Sequence, residues 1–321
     1  MPQPSARSFL GIAKETTFGT AVAATAFIPV KDMKPKEKLT LLPDKGMRGS
    51  MVEVYDEISG PIWAEYEFGG DVFPDTLGWI ATGVLGDLAT TGASAPYTHA
   101  LAVLNTGTAQ PPSYTLSDYY AISTRQFAGT KFSELGLKFN GDGLLEYSAK
   151  ALTLASATAS APTPSFTAVT PIAAWQGAVT IGGSTVTTLI DGECTIKRPV
   201  SAISTADGTQ APVALWSGPV TVSGKMTLIM EDDAQLTNYL TNAKPSLDFN
   251  FAQGAGAGAV QVKLHMTKCA YSGAEISRGK DWIELSVSYE GLANTIDVGG
   301  SGGYSPIKMT IQNAIASGTY K

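Results

Sequence analysis

Two histidines, two cysteines and a few close carboxylate pairs are the residues of this 321-residue chain whose type and spacing invite a chemical reading. A multi-histidine metal centre needs more imidazoles than His99 and His265 supply. His99 follows Pro96-Tyr97-Thr98 in an expected loop with no cysteine or acid cluster beside it. His265, within Val262–Met266, is expected on the face opposite the apolar residues, at the surface. Cys194 and Cys269 fit no metal-ligand spacing and are too few for a disulfide framework, so each reads as a small buried apolar residue.

Glycoside hydrolysis needs two carboxylates flanking a sugar. Asp56-Glu57, Asp232-Asp233 and Glu65/Glu67 are the candidates. Asp232-Asp233 is better read as a helix cap, and Glu65 and Glu67 share the outward face of a strand. Five tryptophans (Trp63, Trp79, Trp175, Trp216, Trp282) could line a sugar platform, but four of them are expected at strand or helix positions that a core would fill. No Gly-x-x-x-x-Gly-Lys-Ser/Thr loop is present, and neither Gly254–Gly258 nor Gly299–Gly303 follows a strand and opens a helix as a dinucleotide site requires. The expectation is a protein that is not an enzyme and takes no cofactor or metal.

The elements that would position such residues are mostly strands. Short Val/Thr/Leu/Tyr-rich runs separated by Gly, Pro, Asn and Asp give an all-β signature. The clearest are Lys38–Leu42, Pro61–Phe68, Ser113–Ser117 and Phe132–Leu152 in the first half. In the second half they are Ala178–Ile181, Gly192–Lys197, Pro219–Met230, Leu247–Phe251, Val260–Met266 and Trp282–Tyr289. Asn140-Gly141-Asp142-Gly143 marks a hairpin turn. One short helix is expected in each half, around Pro74–Ile80 and Asp232–Leu240.

Composition sets the frame. Hydrophobic residues make up 44% of the chain, enough for a core in each half, whereas charged residues make up 16%, below the roughly 25% of an ordinary soluble domain. Low surface charge suits a chain that buries surface against neighbours. The net charge of −6 repels phosphate, so tight nucleic-acid binding is not expected, although repulsion suits a conduit through which DNA slides. The first fifteen residues lack the apolar run of a signal peptide, and no stretch reaches the roughly eighteen apolar residues of a membrane helix. Synthesis without export and no membrane partner are therefore expected.

Three echoes run along the chain in the same order. Lys38-Leu39-Thr40-Leu41 matches Glu193-Cys194-Thr195-Ile196, Ser59-Gly60-Pro61 matches Ser217-Gly218-Pro219, and Gly129–Gly141 matches Gly279–Gly291. They predict a duplicated domain: a first β domain over 1–155, a small-residue and proline linker over 156–164, a second β domain over 165–298, and a glycine-hinged arm over 299–321. On the last pair of matched strands, Glu134, Lys138 and Asn140 share one polar face, and so do Glu284, Ser286, Ser288 and Glu290. In the arm, Ile307, Met309 and Ile311 alternate as in a strand. That strand could add to a neighbour's sheet edge or pack on its own domain. If it docks between subunits, trimming after Gly303 should leave a folded monomer that does not assemble.

Phe9–Ala21 (FLGIAKETTFGTA), Gly192–Pro199 (GECTIKRP) and Tyr304–Asn313 (YSPIKMTIQN) resemble the tail tube proteins of long, flexible-tailed bacteriophages. The resemblance implies a β-sandwich with a flanking helix, assembled with copies of itself into stacked rings. The inner strands of such rings join an inter-subunit β-barrel around a channel. Two tail-tube-like domains per chain would make three chains suffice for a six-fold-like ring; a decorating second half would require six. The polar face carrying Glu134, Lys138, Asn140, Glu284, Ser286, Ser288 and Glu290 is then either the lumen wall or solvent-facing. Implied partners are tape-measure, tail terminator and tip proteins of the virion, with DNA in non-specific transit. A β-rich binding or adhesion module is the rival reading.

Overall fold

The computed structural model describes residues 4–321. Alternation of polar and apolar residues turns nearly every expected run into a strand. The first half contains β1 (Phe9–Lys14), β2 (Ala26–Ile28), β3 (Asp32–Asp44) and β4 (Asp56–Asp71), then α1 (Leu77–Leu85). It continues through β5 (Gly86–Thr91), β6 (Tyr97–Val103), β7 (Tyr114–Tyr119), β8 (Thr124–Asn140), β9 (Glu146–Leu154) and β10 (Ala157–Ala159). The second half opens with β11 (Gly177–Ile181), β12 (Ser184–Val186), β13 (Leu189–Lys197), β14 (Val200–Ile203), β15 (Ala214–Ser217) and β16 (Thr221–Ile229). After α2 (Ala234–Leu240) come β17 (Leu247–Gln253), β18 (Val260–Met266), β19 (Cys269–Ser277), β20 (Glu284–Gly291) and β21 (Lys308–Asn313).

Two sheets face each other across one apolar layer, an all-β sandwich with two α-helices. The larger contains the antiparallel run β3-β4-β9-β8-β13-β16-β20-β19, built from β3–β4, β4–β9, β8–β9, β8–β13, β13–β16, β16–β20 and β19–β20 pairings. The first half of β8 branches off to β7, β1 and β2. The smaller sheet runs β12-β11-β17-β18-β21-β6-β5. Phe139 meets Phe249 and Phe251 at 5.4 and 4.9 Å between ring centroids, stitching the sheets together.

Both sheets contain strands from either side of the small-residue stretch. Residues Asp191–Lys197 pair with Asn140–Glu134, and Met309–Asn313 pair with Leu101–Tyr97. The stretch expected as an unstructured linker carries β10, which pairs with the start of β8. The large sheet's order contains two four-strand sets, β3-β4-β9-β8 and β13-β16-β20-β19. Laying Ser59-Gly60-Pro61 on Ser217-Gly218-Pro219 aligns β4 with β16, and the registers then carry β9 onto β20 and β8 onto β19. A bulge interrupts β8 between Phe132 and Glu134 and β19 between Tyr271 and Gly273, so Ser133 falls on Ser272. The echo of Gly129–Gly141 in Gly279–Gly291 instead lays β8 on β20, strands that hold different places in the two sets. Alternation alone cannot tell one half-buried strand from its neighbour.

Helix α1 is apolar all round and buried along its whole length. Gly83 lets it lie on Phe132, whose ring would be 2.3 Å from a Cβ there, and Gly86 ends it at φ 88°. Its last carbonyls, Val84 O and Leu85 O, accept hydrogen bonds from Arg198 at 3.0 and 3.3 Å. The same guanidinium donates to Ala109 O and Gly218 O, tying both halves together. Burial lowers the Arg198 pKa to about 10, and burial together with Arg198 lowers that of Lys131 to about 8. Helix α2 is the exposed counterpart, and its cap oxygen belongs to Asp232, which accepts from Ala234 N at 2.9 Å.

The terminal motifs are packing devices. Glu15 is 4% exposed, and its carboxylate accepts from Gly19 N, Ser113 Oγ, Thr115 Oγ1 and Gly129 N at 2.7–3.0 Å. His99, expected in a loop, is fully buried in β6, where Nδ1 faces Thr90 Oγ1 at 2.9 Å and Nε2 faces Asn313 Oδ1 at 3.1 Å. Asn313 in turn donates to Pro74 O and the Tyr320 hydroxyl. Strand β21 lies between β18 and β6 with both edges paired, and Ile307, Met309 and Ile311 are fully buried within their own chain. They sit in the intramolecular core and not in a projecting arm.

Two expectations follow. Trimming after Gly303 removes β21 and opens the small sheet, so the truncated protein should show loss of cooperative unfolding in urea and not behave as a folded monomer; a normal transition would contradict this. Burial lowers the pKa of His99 below 6.5. The unfolded chain therefore takes up this proton first as pH falls, so the His99 contribution is whole above about pH 6.5 and declines below it. The melting temperature should drop between pH 7.5 and 5.5, and drop less steeply in His99→Gln. Equal slopes in the two proteins would refute the assignment.

Candidate assembly surfaces

The large sheet has one face on the core and one open to solvent. Register places directly opposed residues on the same face, so the open face can be followed strand by strand. It carries Lys34, Lys36 and Lys38 on β3, Glu65 and Glu67 on β4, and Glu146, Ser148 and Lys150 on β9. Glu134, Lys138 and Asn140 follow on β8, then Asp191, Glu193, Thr195 and Lys197 on β13. It continues with Thr221, Ser223, Lys225 and Thr227 on β16, then Glu284, Ser286, Ser288 and Glu290 on β20. Glu275 and Ser277 on β19 complete it.

All seven residues singled out as a polar face therefore lie on one surface, although they come from strands far apart in sequence. Their surroundings differ. Glu134 takes ion pairs from Lys150 at 3.2 Å and Lys197 at 3.8 Å, which join β9, β8 and β13 across the face. Glu284 is 9% exposed; it accepts from Lys280 Nζ at 2.8 Å and Trp282 Nε1 at 2.9 Å, which hold its pKa below the usual carboxylate value. Lys138, Asn140 and Glu290 are exposed, Ser286 and Ser288 half-buried.

Other features fill in the surface. The β3–β4 hairpin extends beyond the sheet as a ribbon with Leu39, Leu41, Leu42 and Ile58 exposed, and Met47 and Met51 in its loop are fully exposed. Ribbon apolarity of this kind is costly in water unless covered. Tryptophan placement departs from expectation: Trp79 is in the core, whereas Trp175, Trp216 and Trp282 are 75%, 49% and 47% exposed. Cys194 and Cys269 are both buried free thiols, with pKa values pushed to about 12 chiefly by burial.

Geometry also disposes of the most enzyme-like cluster. His265 is half-buried, with Nδ1 2.6 Å from Asp248 Oδ1 and Nε2 3.0 Å from Thr267 Oγ1, the outline of a nucleophile triad. The Thr267 hydroxyl, however, donates to Asp297 Oδ1 at 2.8 Å, and Asp297 also accepts from Thr267 N and Asn294 Nδ2. That proton is committed to a buried carboxylate that pins the 294–297 turn, so the ring does not activate the hydroxyl. A cleft of about 820 Å³ between the 103–110 loop and β16 is lined by Arg198, whose hydrogen bonds go to backbone carbonyls. Among the described residues no cluster of three metal-ligating side chains occurs, and no helix is long and apolar enough to cross a membrane.

What remains is a wide, largely polar face on the strand run from β3 to β19, with an open strand edge at each end. No curated protein matches the sequence. Residues 5–291 match a family model described as phage tail tube protein.

Proposed function

Because the chain belongs to the phage tail tube protein family, a structural and non-enzymatic one, we propose that it assembles into stacked rings around a channel for DNA, with the open face of the large sheet as the channel wall. The observation that carries this reading is the largely polar face that runs from β3 to β19, broken by Trp63, Leu152, Leu154 and Ile229. Carboxylates outnumber lysines along it, so phosphate meets mixed charge with a negative excess and does not bind tightly. Few strongly basic patches and many Ser and Thr hydroxyls make a wall along which a polyanion slides.

Three chains per ring are favoured over six by the order of the sheet. Each chain contributes two four-strand sets, and β13 sits on β8 edge to edge. A merely decorating second half would have no reason to continue the same sheet in the same order. Rings then stack through the exposed β3–β4 ribbon, whose Met47 and Met51 need a cover that their own chain does not provide. Other tail proteins would meet the tube at its ends and inside.

Negative-stain microscopy of the purified protein should show hollow tubes or rings, with three chains per ring by native mass spectrometry. A protein that stays monomeric at high concentration would overturn the reading. Met47→Asp combined with Met51→Asp should leave rings intact and abolish long tubes, because it charges the ribbon tip without touching the sheet. Tubes of ordinary length from that variant would remove the ribbon from the stacking contact.

A further inference from the structure

A sheet face can wall a channel only if its two ends are joined. Among the described residues strand β3 pairs only with β4, and strand β19 only with β20, so the eight-strand run from β3 to β19 has an open edge at each end. Open edges invite pairing with another chain. We infer that the β19 edge of one chain pairs antiparallel with the β3 edge of the next copy, in the register that β8 and β13 adopt inside each chain. This rests on the ring reading above and adds to it the strands and the register of the contact.

The β8–β13 junction is the template. Strand β8 ends the first four-strand set and β13 begins the second; β19 ends the second set, and β3 begins the first set of the following chain. The equivalence of β8 and β19 stands on independent marks. Both strands are bulged at matching residues, Ser133 and Ser272. Helix α1 lies against β8 and α2 against β19, with Tyr271 of β19 donating to Gln235 of α2 at 2.8 Å.

Carrying the register across gives definite pairs. Inside the chain Gly136 faces Thr195, Lys138 faces Glu193 and Glu134 faces Lys197. The equivalent residues put Glu275 opposite Lys36, Ser277 opposite Lys34 and Gly273 opposite Lys38 of the next copy. Lys38 already has Glu65 at 3.1 Å, and Lys34 has Asp32 at 2.5 Å. Among the described residues, neither Lys36 nor Glu275 has an ion-pair partner, and both are exposed. The register thus brings the unpaired cation of one edge directly onto the unpaired anion of the other. Pro35 would face Ile276; it withholds one N–H, so this junction is weaker than β8–β13 and less open to indiscriminate edge pairing.

The test is a charge exchange. Glu275→Lys and Lys36→Glu should each lower the assembled fraction by roughly tenfold or more, through like charges set face to face. The double variant should restore assembly toward the wild-type level. Glu275→Cys with Lys36→Cys should form an interchain disulfide on oxidation of assembled protein, whereas Glu275→Cys with Glu37→Cys, on opposite faces, should not. Single variants that assemble like wild type, or a double variant no better than the singles, would overturn the junction, as would oxidised tubes of Glu275→Cys/Lys36→Cys without the crosslink. Those failures leave the tail-tube reading standing, since the wild type still forms tubes; a wild type that never assembles sinks the reading itself.

Discussion

Everything in this molecule depends on how strand edges are satisfied. Each backbone N–H and C=O along a strand needs a partner, and a sheet that ends must leave a row of them open. Strand β8 carries most of that load: its first residues serve β7 and β10, and its last serve β9 and β13. A bulge at Ser133 and a left-handed Gly129 (φ 67°) let one strand turn between these partners without losing registry. The Glu15 carboxylate holds that bend by accepting from Gly129 N, so the amino-terminal motif acts on the centre of the large sheet from more than a hundred residues away.

The second constraint is polar burial. Glu15, Arg198, His99 and Asn313 are all nearly or fully buried, and each is surrounded by the hydrogen-bond partners that such burial demands. Arg198 spends its donors on the carboxyl end of α1 and on loops from both halves. Groups of this kind fix relative positions that an apolar layer alone would let slide. Their chemistry is fully used inside the fold, which agrees with a family whose work is architecture.

Much of the strand pattern was legible in the sequence, because alternation with period two is written residue by residue. The polar face was legible in part. Glu134, Lys138 and Asn140 announced their face through Leu135, Leu137 and Phe139 between them, and Ser286 and Ser288 did so through Val287. That β8 and β20 would bring those residues to one surface was not readable, since it depends on pairings between distant strands. The same gap explains the failures. His99 lies in a polar-looking run and is buried because Thr90 of β5, Asn313 of β21 and the Tyr320 ring close around it. Trp216 and Trp282 sit in strand-like runs yet point outward, since burial of one residue in two depends on which layer lies opposite. The match between Gly129–Gly141 and Gly279–Gly291 lays β8 on β20 for a related reason: any two half-buried strands share a pattern, whereas the shorter Ser-Gly-Pro echo lays β4 on β16, which hold the same place in the two four-strand sets.

Strand β21 has a further consequence, for the order of events during synthesis. The small sheet is two pieces until Lys308–Asn313 slot between β18 and β6. A chain still being translated thus holds one incomplete layer, with Val262, Leu264 and Leu101 lacking part of their cover. His99 and Asn313, which meet across this joint, are 214 residues apart, so contacts of high sequence separation close the core. A chain that has not yet made Lys308–Asn313 cannot present a finished sandwich, so the two pieces of the small sheet wait on one late strand.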